Sequence, residues 1–189
     1  TVRRLGGRSL PTGNYPVLFD ATVAGGLIGH LVGGLSGGAL YRHSSFLTDS
    51  LGTQILPEFL HLREEPHIAR ALGSTYFDAE GVATAPRFVI EGGRVQGYFL
   101  SSYSARKLGM RTTANAGGAH NLHLNHTCAT QADLLRQMGS GLLVTELMGQ
   151  GVNMLTGDYS RGAAGFWVEN GVIAYPVQEI TIAGRLQDM

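Results

Sequence analysis

One stretch sets the terms for any fold of this chain. Residues 21–41 carry no formal charge, and seven of these positions are glycine: Gly25, Gly26, Gly29, Gly33, Gly34, Gly37 and Gly38. Each glycine costs a helix about 1 kcal/mol relative to alanine. A helix here must therefore draw its stability from packing. Gly25, Gly29, Gly33 and Gly37 repeat every four residues as a small-residue ridge. In lipid such a ridge is a helix-pairing face; in water it lets another backbone come close. Length alone would permit a membrane crossing. The glycine content, the central His30 and the mixed character of the rest of the chain favour a soluble domain.

Asp20 stands where a helix N-cap belongs, so the stretch predicts a long Gly-rich helix running toward residue 40. Residues 15–19 before it read as a short buried strand, and Pro16 places that strand at an edge or at its own start. Further on, the pattern shortens. Residues 87–90 and 94–100 flank Gly92-Gly93, and residues 166–169 and 172–177 flank Asn170-Gly171. Both read as hairpins, the second more strongly because Asn-Gly suits a type I′ turn. Residues 142–148 and 179–183 are further strands. Residues 102–108, stopped by Gly109, form a short helix, and Thr130 with Asp133 forms a capping box for another that Gly139 ends. Strands joined by tight turns pair antiparallel. The fold class is therefore α+β: an antiparallel β-rich domain with a long Gly-rich helix near the start and a few short helices. No linker or repeat divides the 189 residues, and one domain is the simplest account.

Composition narrows the function classes. Fourteen basic residues balance fourteen acidic ones, which argues against a phosphate-neutralising nucleic-acid surface and leaves little self-repulsion to oppose self-association. Cys128 is the single cysteine, so no intramolecular disulfide framework exists and a reducing compartment fits. The chain opens on Thr1 rather than Met, which leads us to expect a piece of a longer protein, and its opening residues show no basic segment followed by an apolar one that would suggest secretion.

Several residues carry candidate chemistry. His120, His123, His126 and Cys128 are zinc-ligand types. On a strand His123 would point away from the other two histidines, and only a loop gathers all of them. Glu146 lies in an apolar strand and requires an Arg or backbone N–H partner if buried. Asp158 precedes Tyr159, Ser160 and Arg161, and turn stabilisation is its simplest duty. Glu146, Asp158 and Arg161 are the candidates for a substrate or subunit contact. No nucleophile elbow, phosphate-binding loop or dinucleotide fingerprint is present.

Longer motifs point to a family. Thr145-Glu146-Leu147-Met148-Gly149-Gln150-Gly151-Val152-Asn153, followed by Thr156-Gly157-Asp158-Tyr159-Ser160-Arg161-Gly162 and on through residue 171, resembles the TldD/PmbA family. The likeness is to its PmbA (TldE) branch, the microcin-processing or modulator-of-gyrase proteins. Phe77-Asp78-Ala79-Glu80-Gly81-Val82, Ser102-Tyr103-Ser104-Ala105-Arg106-Lys107-Leu108-Gly109 and residues 176–184 support it.

The resemblance implies most of the C-terminal domain of such a protein, with an N-terminal domain and the extreme C-terminus absent. It implies a cytoplasmic two-subunit metallopeptidase that cleaves peptides. Its TldD-type subunit carries zinc on a His-Glu-x-x-x-His helix, with a later Cys that Cys128 does not match. Here that motif falls on Gly25-Gly26-Leu27-Ile28-Gly29-His30. Only His30 survives, where a catalytic metal needs about three protein ligands and a base for its water. The expectation is a non-catalytic partner subunit: no metal and no catalytic residue in this chain, zinc in a TldD-type partner, a peptide substrate, and neither direct nucleic-acid contact nor membrane. An independent zinc hydrolase built on the histidine cluster, or a homodimeric binding module, are the alternatives.

Overall fold

The computed structural model describes residues 2–127 and 130–189. In chain order the elements are β1 (Val17–Phe19), α1 (Ala21–Gly34), α2 (Gly37–Tyr41), β2 (Leu62–Glu64), β3 (Arg87–Glu91), β4 (Arg94–Val95), α3 (Ser102–Lys107), β5 (Leu122–Leu124), α4 (Gln131–Met138), β6 (Gly141–Met148), β7 (Asp158–Glu169) and β8 (Val172–Arg185). The α+β class holds. Contacts divide the chain into two compact units, Thr1–Gly29 with Thr127–Met189, and His30–His126.

The first unit is built on a sheet of order β1-β6-β7-β8. β1 runs parallel to β6 and the other pairs are antiparallel. β1 sits at the edge, where Pro16 still contributes its carbonyl, which accepts from Leu142 N at 2.9 Å. The β7–β8 hairpin turns on Asn170 and Gly171 at φ 50° and 76°, the left-handed pair that a type I′ turn requires.

β8 is longer than expected. Residues 179–183 do not form a separate strand; they continue β8 through a bulge at Glu179, whose φ is 56°. The extra residue shifts the register, so that Gly165 pairs with Val177 and Ala163 with Ile180. β6 alternates its side chains as a two-sided strand must. Leu142 and Val144 pack on one face with Ala163 and Val177, joined by Val23 of α1. Leu143 packs on the other with Val168 and Leu135 of α4. The capping box of α4 forms as the sequence indicates: Thr130 accepts from Asp133 N, and the Asp133 carboxylate accepts from Thr130 N.

Asp20 caps α1 through its Oδ1, which accepts from Thr22 N at 3.0 Å. The helix ends at Gly34 rather than near residue 40, because the next residues turn to pair with Phe99. Leu35 O accepts from Phe99 N at 3.0 Å and Gly37 N donates to Phe99 O at 2.8 Å. The chain then re-enters a helix as α2. Gly37 has no room for a side chain: an added Cβ would lie 2.6 Å from Ser104 Cβ and 2.8 Å from Leu100 Cδ2. The second unit carries an antiparallel sheet of order β4-β3-β2-β5. Leu62, Val89, Ile90 and Val95 from its strands are buried, as are Leu35, Leu40 and Leu100. Among the described residues no helix is long and apolar enough to cross a membrane.

Candidate functional site

The helix positions singled out by the family motif have an unusual setting. Gly25, Gly26 and Gly29 are exposed, and a Cβ built on any of them would meet nothing within 4 Å. The close packing expected of the glycine ridge is therefore realised at Gly37 but not in the first turns of α1. On an ideal helix Gly26 and His30 fall on one side, four residues apart. His30 is half-buried, with its Nε2 shielded from solvent. One imidazole with two glycines does not fit a catalytic metal, which needs about three ligands and an open position.

The histidine cluster separates. His120 turns inward, and its Nδ1 lies 3.0 Å from Glu64 Oε1. His123 is exposed on β5 opposite Arg63, and His126 is exposed just beyond that strand. Cys128 lies outside the described residues. Among those described, no three His, Cys, Asp or Glu side chains gather as a metal would require.

Glu64 is the buried charge that sequence reasoning missed. It is 1% exposed. Its Oε1 accepts from Asn115 Nδ2 at 2.7 Å, His120 N at 2.9 Å and His120 Nδ1 at 3.0 Å, and its Oε2 accepts from Arg87 Nε at 2.7 Å. Burial pushes the Glu64 carboxyl up, but the His120 N–H, the Arg87 charge and the other hydrogen bonds outweigh it and hold the group below its ordinary value. This carboxylate already accepts from four donors of the protein's own, three on Oε1 and one on Oε2, a structural use of the charge. It is an anchor for the 113–120 loop. Asp78 acts similarly, accepting from Glu80 N, Val82 N and Ala116 N at 2.9–3.0 Å. Asp78 was visible in the sequence only as part of a family motif, and Glu64 only as one charge in the polar run Arg63-Glu64-Glu65.

Beside this anchor, the second unit has a groove of about 460 Å³ lined by Val32, Ser36, Tyr41, Phe99, Tyr103 and the 115–119 main chain. In the first unit, Glu146 is exposed and pairs with Arg4, and both line a hollow of about 380 Å³. Asp158 accepts from Thr156 Oγ1 at the start of β7, the turn duty expected of it. Arg161 lies beside the buried Tyr159. Burial raises the Tyr159 phenol above its ordinary value, and the Arg161 charge and hydrogen bond offset part of that rise.

The first unit also has an open sheet edge. Asp158 O and Ser160 N bond to Asn153 N and Gly151 O on the side away from β8. The alternation of an antiparallel pair then makes Tyr159–Gly184 and Arg161–Ile182 the bonded pairs. Thr181 and Ala183 consequently turn their N–H and C=O groups outward. No main-chain partner meets them among the described residues. Thr181 and Ala183 also line a groove of about 550 Å³ together with residues 10–15. Leu10, Tyr15, Leu142, Ile180 and Ile182 make it apolar.

Comparison with known proteins identifies this architecture. The profile of the PmbA/TldA metallopeptidase C-terminal domain matches residues 12–189. The metalloprotease PmbA of Escherichia coli O157:H7 is 57% identical over 189 residues, covering all of this chain and 42% of that protein. A metalloprotease PmbA homolog of Haemophilus influenzae is 57% identical over 190 residues, again all of this chain and 42% of the relative. The same Haemophilus strain has a metalloprotease TldD homolog, 28% identical over 186 residues, covering 92% of this chain and 39% of that protein.

Among solved structures, one described as a modulator of DNA gyrase from Bacteroides thetaiotaomicron superposes with a TM-score of 0.94 at 34% identity, over 99% of this chain and 42% of that one. TldE from Thermococcus kodakarensis superposes at 0.81 with 26% identity, over 96% and 44%. The chain spans less than half the length of these relatives. By profile, sequence and fold together, this chain belongs to the PmbA/TldA metallopeptidase C-terminal domain family.

Proposed function

We propose that this chain is the C-terminal part of a non-catalytic subunit in a two-subunit zinc metallopeptidase. A TldD-type chain supplies the metal and the general base, and the assembly cleaves peptides or unfolded polypeptides in the cytoplasm. The observation that carries the reading is Gly25-Gly26 on α1, the positions on which the resemblance places the His and Glu of a catalytic branch. Glycine has no lone pair to give a metal and no group to take a proton from its water. Nothing else in the described chain reaches the space a side chain would fill at these positions.

The chain's own residues would serve the substrate rather than the reaction. The outward N–H and C=O groups of Thr181 and Ala183 can bond to an extended backbone by strand addition, whatever its sequence. The apolar groove beside them shelters its side chains from water. Glu146, Asp158 and Arg161 form no common centre. Glu146 is engaged by Arg4 and Asp158 by Thr156, so they support the β6 and β7 surfaces in this reading.

The test is peptide cleavage by the full protein alone, by a TldD-type protein alone, and by the two together. The reading predicts no turnover from the full protein alone, turnover from the mixture, and no loss in the mixture when His30→Ala is introduced here. Cleavage by this protein alone, abolished by His30→Ala, would overturn it.

A further inference from the structure

Asn170-Gly171 is the single Asn-Gly pair in the sequence. The pair that suits a tight hairpin turn is also the pair most prone to lose the asparagine amide. The reaction is intramolecular. The Gly171 main-chain nitrogen gives up its proton and attacks Asn170 Cγ. An N–C bond forms and closes a cyclic succinimide, the Cγ–Nδ2 bond breaks, and ammonia leaves with a proton in place of the one that Gly171 lost. Water then opens the ring at either carbonyl, giving aspartate or isoaspartate. Water is the only co-reactant. Glycine favours the attack because no side chain hinders its nitrogen.

In this fold the nucleophile is occupied. Gly171 N donates to Gly139 O at 2.6 Å. Gly139 caps the C-terminus of α4, its own N–H donating to Leu135 O at 3.0 Å, and Leu135 fixes that helix on the sheet against Leu143 and Val168. The main chain at Gly171 is pressed on the same helix: a Cβ there would lie 2.9 Å from Arg136 Cα. The proton that must leave is therefore held by a carbonyl, on the side covered by α4. Closing the ring also requires rotation about the Asn170 Cα–C bond. The left-handed turn, with φ 50° and 76°, and the Glu169–Val172 pairing hold that bond fixed. Asn170 itself is exposed, so the guard acts on the attacking nitrogen and not on the amide that leaves.

We propose that Asn170 is a latent deamidation site guarded by the C-terminus of α4: it converts when that helix lifts from the β7–β8 hairpin and is spared while the helix is docked. Isoaspartate carries the main chain through the former side chain and so adds a methylene to it. In a two-residue turn that extra atom displaces β8 against β7, whose register is set by the turn. A local opening that would otherwise reverse then becomes permanent. The site thus records how often α4 has left the sheet, and it does so independently of the partner-subunit reading above.

The test incubates the full protein in mildly alkaline buffer, folded or unfolded in urea, and follows Asn170 by peptide mapping with detection of isoaspartate. Folding should slow the conversion about tenfold or more, because each reactive excursion must first break the Gly139 bond and unpack α4. Leu135→Ala loosens α4 while leaving Asn170 and Gly171 in place, and should speed conversion several-fold in protein that circular dichroism shows to be folded. Val89→Ala, a truncation at a buried position of the other unit, should leave the rate as in wild type. A folded wild-type rate equal to the unfolded one would overturn the proposal, and that comparison stands even if Leu135→Ala does not fold. Acceleration by Val89→Ala as large as by Leu135→Ala would overturn the guarding role of α4.

Discussion

Replacing Glu64 by Gln tests the energetic centre of the second unit. The carboxylate accepts four hydrogen bonds from Asn115, His120 and Arg87. The amide keeps the volume but removes the charge that balances Arg87, and its NH₂ must face at least one of the donors. Breaking one partner of a buried pair costs about 3–5 kcal/mol. The Arg87 side chain retains some contact with solvent, which places the expectation at the low end, about 3 kcal/mol. For a chain of this size each kcal/mol moves the melting temperature by roughly 2–4 °C, so Glu64→Gln should melt roughly 6–12 °C lower at neutral pH. Thermal unfolding followed by circular dichroism measures it. A shift below about 2 °C would mean that the network carries little stability and that the anchoring role assigned to Glu64 is wrong.

Three further outcomes follow from the same structure. Because the folded Glu64 carboxyl is held below its ordinary value of 4.5, its stabilisation is complete above that value and is lost as pH falls through the folded one. The gap in melting temperature between wild type and Glu64→Gln should therefore narrow from about pH 5 to about pH 3; a gap that widens in acid would contradict the assignment. Gly29→Ala, on the open face of α1, should stabilise the free protein by up to about 1 kcal/mol. Gly37→Ala, pressed against Ser104 and Leu100, should destabilise it by about 1–3 kcal/mol, and denaturant midpoints distinguish the two signs. Thr130→Ala removes the cap of α4 and should cost about 1 kcal/mol, read from the same denaturant titration.

Local chemistry made part of this architecture legible in the sequence. The Asn170-Gly171 turn, the Thr130 and Asp133 capping box and the Asp20 cap each depend on a few adjacent residues, and each forms where those residues stand. What escaped depends on distant partners. The parallel pairing of β1 with β6 joins residues 17–19 to 142–144, and no local pattern encodes it. The helix break after Gly34 is imposed by Phe99, and the continuity of β8 rests on a bulge at Glu179 that resembles a strand boundary in sequence. Glu64 looked like any surface carboxylate because its four donors come from positions 23 to 56 residues away. At the candidate site, Gly25, Gly26 and His30 were readable through family motifs alone. The open edge at Thr181 and Ala183 became visible only once the register of β7 and β8 was known.

Metal binding by the full protein, purified without its partner, tests the central claim most directly. Zinc titration followed by calorimetry, with metal content measured after dialysis, should find no tight site that His30→Ala removes. One equivalent of tightly held zinc that disappears in His30→Ala, accompanied by peptide hydrolysis from the isolated protein, would contradict the account.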